Sequence, residues 1–235
     1  METGKTGKYF KYAIGEIVLV VIGILIALSI NNWNEMRKEA SVELKMLSEI
    51  QSNLKQSKKE IKKVLDVNET DLTRYISLLN HIEQKLPYST ALDITFGRIT
   101  AWGTPHLTYT AYESLKSKGS ELVKNDSLRI QIINMFENEM TYLIDDWDKS
   151  EWKDSESVVG PYYIKHFGYN YSDDKTAKPN NYDALIEDAE FTNILRLIIV
   201  NRKWGNKSCR NVIESIDTLI GSIENELFQR GFYKN

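Results

Sequence analysis

Residues able to carry out catalysis or to bind a metal ion are scarce in this chain of 235 residues. The histidines His81, His106 and His166 lie far apart, and no two of them have the spacing of metal ligands. Cys209, the single cysteine, falls within an apolar stripe, where we expect a buried structural thiol. The sequence also lacks a glycine-rich phosphate loop and a GxSxG motif. We therefore predict a non-catalytic protein with no metal site and no cofactor.

Glu16, an acidic residue within a long apolar stretch near the N-terminus, is a candidate of a different kind. An acid inside a membrane-spanning helix could serve a complex that is coupled to ions or protons. At about 100° per residue, Gly23 and Ala27 lie on the same helix face as Glu16, and small residues four apart let two helices approach closely. We predict that Glu16, Gly23 and Ala27 form a transmembrane packing face toward a second copy or a partner helix. The alternative is that Gly23 and Ala27 face lipid while Glu16 reaches the headgroups.

Aromatic residues are concentrated in the segment 154–182, which is interrupted by Gly160, Pro161 and Pro179. These helix-breaking residues predict an irregular loop over 154–182. Long loops are often functional, and tyrosine combines apolar contact area with a polar tip, as protein interfaces favour. The rings either pack this loop onto the rest of the domain or form a surface for a protein partner. The candidate partner residues are Tyr162, Tyr163, Phe167, Tyr169 and Tyr171.

The element that carries Glu16 is an apolar segment from Ala13 to Ile30 in which Glu16 is the only charged residue. As a helix it would rise about 27 Å, close to the ~30 Å hydrocarbon core of a bilayer. A cleaved signal peptide is the alternative, but the apolar run is longer than a usual signal core and continues directly into another helical pattern. The sequence therefore predicts a retained transmembrane helix over 13–30.

Charges on either side of this segment predict its orientation. Lys5, Lys8 and Lys11 lie in a short head, 1–12, and Arg37, Lys38 and Lys45 follow the span, so a count of lysine and arginine alone is nearly balanced. The shortness of the head and the charge of its N-terminal amine favour the cytoplasm for the head. The N-terminus is then cytoplasmic and 31–235 is extracytoplasmic, which for a bacterial inner-membrane protein means periplasmic. Trp33 is an interface anchor at the far end of the span, the first core residue of the next helix, or both.

A heptad pattern follows, since residues 33–86 contain neither glycine nor proline. Apolar residues recur every seven positions, and a second row lies four residues after the first. Asn68 is a polar residue on the first row, where a buried amide fixes register at a cost in stability, so replacement by leucine is expected to stabilise the protein. The first row is Trp33, Ala40, Leu47, Leu54, Ile61, Asn68, Tyr75 and Ile82; the second includes Leu44, Leu65, Leu72 and Leu79.

Further apolar stripes predict a helix that begins at Asn125 and runs to about Lys153, and a last helix over 183–229. Gly205 and Cys209 are small residues on the buried face of the last helix, which indicates a close helix crossing. Helices with apolar stripes must bury them against each other. We predict an all-α fold, with an N-terminal transmembrane helix followed by an elongated antiparallel helical bundle.

Composition restricts the partners. The formal net charge is −3, whereas nucleic-acid-binding proteins normally carry a basic excess. The expected partners are the lipid bilayer and a protein, either a different one or a second copy in a homo-oligomer, bound through the transmembrane helix and the bundle; nucleic acid is not expected.

Two blocks of this sequence carry a family resemblance. The first is GEIVLVVIGILIAL over 15–28, followed by INNWNE over 30–35; the second is TAYESLKSKG over 110–119, followed by LVKN over 122–125. Together they resemble an uncharacterised family of small single-pass membrane proteins from Bacteroidota, which has only a domain-of-unknown-function label. Lys118 and Ser120 stand where that family often has Gly or Asn. The resemblance implies a protein of the bacterial cell envelope and no catalytic residue.

The preferred interpretation is an inner-membrane-anchored periplasmic helical domain that acts in binding, scaffolding or sensing. The alternative is a subunit of an ion- or proton-coupled membrane complex that uses Glu16. A hydrolase would need a polar cluster that the sequence pattern does not reveal.

Overall fold

A computed structural model describes residues 6–169 and 176–232 of the chain, with side chains from residue 14 onward. The chain divides into two compact units, Met1–Leu47 and Ser48–Asn235. Helix α1 spans Thr6–Glu83 and contributes to both units. Its C-terminal end lies three residues before the end of the segment 33–86 that lacks glycine and proline.

The other elements all belong to the second unit. Short 3₁₀ turns over Thr90–Leu92 and Ser120–Leu122 precede α2 and α4, and residues 101–109 between α2 and α3 have no regular structure. A small antiparallel hairpin pairs Phe167 with Pro179 and Tyr169 with Ala177. The helices are α2 (Asp93–Arg98), α3 (Thr110–Lys118), α4 (Asp126–Asn134), α5 (Lys149–Asp154), α6 (Gly160–His166), α7 (Tyr182–Ile186) and α8 (Ala189–Gln229); the strands are β1 (Phe167–Tyr169) and β2 (Ala177–Pro179).

Local sequence explains where several of these helices begin and end. Gly119 ends α3 at a φ of 95°, a conformation that side chains with a Cβ rarely adopt. Asn125 caps α4, since its side chain accepts a hydrogen bond from the Leu128 amide. The start of α4 agrees with the helix that the sequence predicts to begin at Asn125.

In the first unit, the apolar stretch of α1 is uncovered by the described part of the chain. Apolar side chains between Ile14 and Ile30 are 46–70% exposed. By length and composition, this is the one described helix able to span a membrane.

In the second unit, α1 buries one of the two predicted rows. Leu54, Ile61, Asn68, Tyr75 and Ile82 are all buried, as the heptad pattern predicted. The companion row is confirmed only in part, because Leu65, Leu72 and Leu79 are partly buried, and Leu72 and Leu79 pack against the edge of the core. The second buried row lies three residues after the first and includes Ser57, Val64, Asp71 and Leu78. A search for apolar periodicity does not find this row, because two of its members, Ser57 and Asp71, are polar. Both have hydrogen-bond partners inside the fold.

Helix α8 lies antiparallel to α1, and its predicted apolar stripe from Phe191 to Leu227 is buried. Four ion pairs between described residues of the two helices follow this arrangement, because partners later in α1 pair with residues earlier in α8. They are Lys55 with Glu224, Lys58 with Asp217, Glu69 with Arg210 and Glu83 with Arg196. Such exposed pairs contribute little stability each, so the apolar stripe holds the two helices together. The predicted all-α antiparallel bundle is thus confirmed for the second unit.

The segment 126–166 is helical throughout, so the predicted irregular loop over 154–182 is wrong in its first part. Three stretches within this segment are π-helical, with hydrogen bonds that span five residues and therefore wider turns. They are Met135–Glu139, Tyr142–Asp148 and Ser155–Val159. The last one precedes Pro161, so the wider turn absorbs a residue that would break a regular α-helix. Within the described part of the remainder, strand β1 covers Phe167–Tyr169 and strand β2 covers Ala177–Pro179.

The predicted close crossing is confirmed at Gly205. A Cβ atom added to Gly205 would overlap the indole ring of Trp147, which is fully buried. Cys209 is also buried, and burial raises the pKa of its thiol to about 12. The helix surface at Gly205 is therefore occupied by the Trp147 ring.

We expect Gly205→Ala to lower the free energy of unfolding by about 1–3 kcal/mol, because the new methyl group forces Trp147 out of its packing. Gly221→Ala is the control on the same helix, since a Cβ atom added there would have no neighbouring atom within 4 Å. It should raise stability by about 0.5–1 kcal/mol through helix propensity. Thermal unfolding of the detergent-solubilised protein, followed by circular dichroism, measures both. Equal effects of the two substitutions would contradict this packing.

Candidate functional site

Arg202 carries a buried positive charge at the centre of the second unit, with its side chain 1% exposed. Its Nη1 donates to Oδ1 of Asn68 at 2.9 Å, and its Nη2 donates to the Ala101 carbonyl at 3.2 Å. Its Nε lies 3.8 Å from Oε1 of Glu151, and its Cζ lies 6.0 Å from the centre of the Tyr75 ring. A buried charge is tolerated only where such partners compensate for lost hydration.

Glu151, the charge partner of Arg202, is itself 5% exposed. Burial raises the pKa of its carboxyl above the ordinary value, and the positive charge of Arg202 acts in the opposite direction. The attraction between the two charges therefore offsets part of the free energy that each group loses when it leaves water. We call Asn68, Tyr75, Glu151 and Arg202 the Arg202 cluster.

Further polar contacts surround this cluster. Asp148 is buried and accepts hydrogen bonds from Trp102 Nε1 at 3.0 Å and Thr104 Oγ1 at 2.9 Å. Asn201 Nδ2 donates to Oδ2 of Asp154 at 2.6 Å. These contacts tie the π-rich segment to residues 101–109 and to α8. The carboxylates of Asp148 and Asp154 are thus held by neutral hydrogen-bond donors beside the ion pair of Arg202 and Glu151.

A second polar group lies at the surface, where α1 meets α2. The Asp71 side chain is 1% exposed, and its Oδ2 accepts from Arg98 Nε at 3.0 Å and Nη2 at 2.6 Å. Its Oδ1 accepts from Arg74 Nη1 at 2.9 Å. The hydrogen bonds to Asp71 raise the pKa of the Arg98 guanidinium.

These three residues border a groove of about 470 Å³, which we call the Asp71 groove. Val67 and Ile94 supply apolar walls, and each is 40% exposed. The Tyr75 hydroxyl donates to the Arg98 carbonyl, so the groove and the Arg202 cluster share a connecting residue. The complete lining is Asp66, Val67, Thr70, Asp71, Arg74, Ile94 and Arg98.

The described aromatic side chains that were predicted to form a surface for a partner are buried inside the second unit. Tyr162, Tyr163 and Phe167 are 5%, 1% and 5% exposed. The Tyr162 hydroxyl donates to Asp188 at 2.6 Å, and the Tyr163 hydroxyl donates to the Phe96 carbonyl at 2.8 Å. They pack this segment onto the bundle, which was the other sequence-based alternative, and are not a surface for a partner.

Two members of that predicted set have no such description. Tyr169 ends strand β1, and its side chain lies outside the described part, as does Tyr171 altogether.

The predicted transmembrane packing face lies in the first unit. Glu16, Gly23 and Ala27 are exposed, and a Cβ on Gly23 would have no described atom within 4 Å. Trp33 is 59% exposed, with Arg37 Cζ 5.8 Å from its ring centre. This face is therefore accessible to lipid or to another helix.

Sequence reasoning missed Arg202 and the pairing of Asp71 with two arginines. A signal for Arg202 existed, since it lies four residues after Ile198 and three before Gly205, on the predicted apolar stripe. A charged residue in that position indicates a buried pair. The partners of Asp71 come from a different helix turn and from α2, and no sequence spacing connects them.

The hydrogen bond to Arg202 reverses the expectation for Asn68. Asn68→Leu removes an acceptor from a buried cation, so we now expect it to lower the free energy of unfolding by about 1.5–3 kcal/mol. The triple variant Asn68→Leu/Glu151→Leu/Arg202→Met should recover much of that loss, because it leaves no buried charge without a partner, whereas removal of Arg202 alone would leave Glu151 as an unpaired buried carboxylate. Asn80→Leu, at an exposed position of α1, is the control and should change stability little. Chemical denaturation of the solubilised protein measures all three, and a stabilised Asn68→Leu variant would show that this bond is dispensable.

Comparison with known proteins gives one match. No curated protein and no solved structure matches the chain. The model of a family described as "Family of unknown function (DUF6090)" matches residues 16–203, which include the apolar stretch from Glu16 onward, the Asp71 groove and Arg202. The chain therefore belongs to the DUF6090 family.

Proposed function

We propose that this protein is a single-pass, membrane-anchored helical domain of the bacterial cell envelope that acts in binding, scaffolding or sensing, without catalysis. Its N-terminus is cytoplasmic, its second unit is periplasmic, and its relatives are small membrane proteins of Bacteroidota. The observation that carries this proposal is the contrast between an uncovered apolar helix and a separately folded helical unit.

The apolar stretch supports the anchor. Its side chains from Ile14 to Ile30 are 46–70% exposed, although burial of apolar surface is worth about 25 cal/mol per Å². A chain that leaves such a surface uncovered needs a lipid or protein environment for it. The length of the stretch fits the hydrocarbon core of a bilayer.

The second unit supports binding rather than catalysis. The ionisable side chains of the Arg202 cluster are engaged with each other and withdrawn from solvent, so they are poorly placed to meet a substrate. The accessible polar chemistry lies instead in the Asp71 groove, where charged groups are already oriented by a buried carboxylate. Such an arrangement suits recognition of a ligand.

Topology is the first test of this proposal. We expect a C-terminal alkaline phosphatase fusion to the full-length protein to be active and a C-terminal fluorescent-protein fusion to be dim, because Lys5, Lys8 and Lys11 retain the N-terminus in the cytoplasm. Replacing these three lysines with glutamine should reduce the phosphatase activity per fusion molecule. An inactive phosphatase fusion with a bright fluorescent one would contradict the periplasmic assignment.

The second candidate function is a subunit of an ion- or proton-coupled membrane complex. The observation that favours it is the accessibility of Glu16 on one face with Gly23 and Ala27. A carboxylate on such a face can be sheltered by a neighbouring helix instead of by headgroups.

The helix face with Glu16, Gly23 and Ala27 provides a second test. We expect Gly23→Ile/Ala27→Ile to abolish self-association or partner association of the transmembrane segment in a membrane two-hybrid assay, because the larger side chains keep helix backbones apart. Ile22→Leu and Leu25→Ile, on other faces, should leave the signal unchanged. Glu16→Gln then separates the roles, since a charge-dependent contact weakens while a purely steric one persists. The same signal from all variants would remove this face as an interface.

A further inference from the structure

We propose that the Asp71 groove binds a small organic molecule that carries a single carboxylate next to an apolar group. This inference rests on the proposed binding function and names the ligand class for it. It follows from how Asp71, Arg74 and Arg98 share their hydrogen bonds and from what lines the rest of the groove.

The two guanidinium groups retain unused donors. Arg98 donates hydrogen bonds to the Asp71 carboxylate from Nε and Nη2, and Arg74 donates one from Nη1. A guanidinium has five N–H donors. Within the described chain, no hydrogen bond engages Arg98 Nη1 or Arg74 Nε and Nη2. The arginines are thus fixed on one side and available on the other.

Asp71 serves as a positioning residue for this pair. Its carboxylate is 1% exposed, whereas the side chains of Arg74 and Arg98 are 38% and 29% exposed. A buried carboxylate that grips two arginines lowers the entropy lost when they bind an external anion. Arginine forks match the planar geometry of a carboxylate and bind it through two parallel hydrogen bonds.

Charge selects a monoanion. The buried Asp71 neutralises one of the two guanidinium charges, so about one positive charge is left at the floor of the groove. Asp66 adds an exposed carboxylate to the lining. Counted over the whole lining the charges sum to zero, but Asp66 is exposed, so solvent screens its charge more than that of the buried Asp71. A single carboxylate at the arginines balances the positive charge at the groove floor, whereas a doubly charged phosphate exceeds that charge and meets stronger repulsion from Asp66.

The walls select an apolar neighbour for that carboxylate. Val67 and Ile94 are each 40% exposed, which leaves apolar area for a ligand to cover. The groove volume of about 470 Å³ lies in the range of ~300–1,000 Å³ that small-molecule sites occupy. A molecule of the size of an N-acyl amino acid meets both requirements.

The test uses N-acetyl-leucine as a probe, with full-length protein in lipid nanodiscs. Saturation-transfer NMR reports contact of the leucine methyl groups with the protein and detects binding at millimolar affinity. We expect a signal with wild-type protein that Arg74→Gln weakens by about tenfold, because the variant loses a charge-assisted pair of donors. Lys63→Gln, at an exposed position elsewhere on α1, is the matched control and should leave the signal unchanged.

Additional arms separate the alternatives. Val67→Ser should also weaken the signal, and N-acetyl-leucinamide, which lacks the carboxylate, should give no variant-sensitive signal. The site is overturned if wild-type protein gives none with N-acetyl-leucine, or if Arg74→Gln binds it as wild type does while its circular dichroism melt confirms folding. Displacement of the probe by an equal concentration of inorganic phosphate would overturn the monoanion assignment.

Failure of this inference is distinguishable from failure of the proposed function. If N-acetyl-leucine does not bind but the phosphatase fusion is active, the proposed ligand class is wrong and the proposal of a membrane-anchored periplasmic domain stands. Variant-sensitive binding with an inactive phosphatase fusion keeps the site and overturns the periplasmic assignment.

Discussion

The buried charge of Arg202 is the constraint on which the packing of the second unit depends. A guanidinium removed from water loses several kcal/mol of hydration free energy, and only correctly placed acceptors restore it. Asn68 on α1 and Ala101 in the irregular segment supply the hydrogen-bond acceptors, and Glu151 on α5 supplies a negative charge 3.8 Å from Nε. Four parts of the chain must therefore reach one position together, and an arrangement that omits any of them leaves a buried charge without its partner.

Apolar packing around this charge is equally restrictive. The Trp147 indole lies against Gly205, one turn of α8 away from Arg202, so the crossing distance is set by a residue without a side chain. The π-helical stretches also affect this packing, because each one inserts a residue and so rotates the following side chains about the helix axis. In this way one continuous helical segment presents both Trp147 and Glu151 to α8, and it also passes Pro161 without ending.

Helix α1 connects the interior to the surface of this unit. Asn68 and Tyr75 belong to the Arg202 cluster, while Asp71 and Arg74, between them in sequence, border the groove. The Tyr75 hydroxyl bonds to the Arg98 carbonyl, so the backbone that carries one groove arginine is held by a member of the cluster. The orientation of the groove arginines is thus a consequence of core packing, which is the form of preorganisation that binding sites use.

Much of this architecture was predictable from the sequence, because local chemistry determines it. The apolar stretch with Glu16, the caps at Gly119 and Asn125, the heptad row through Asn68 and the stripe of α8 all follow from residue type and period. Only the tertiary structure decided the rest. The row through Ser57 and Asp71 was hidden because its polar members find partners in distant segments, and the helix through Pro161 survived because wider turns accommodate it. The Asp71 groove and the Arg202 cluster join residues that are distant in sequence, and such pairings depend on which faces meet, a property that no local pattern encodes.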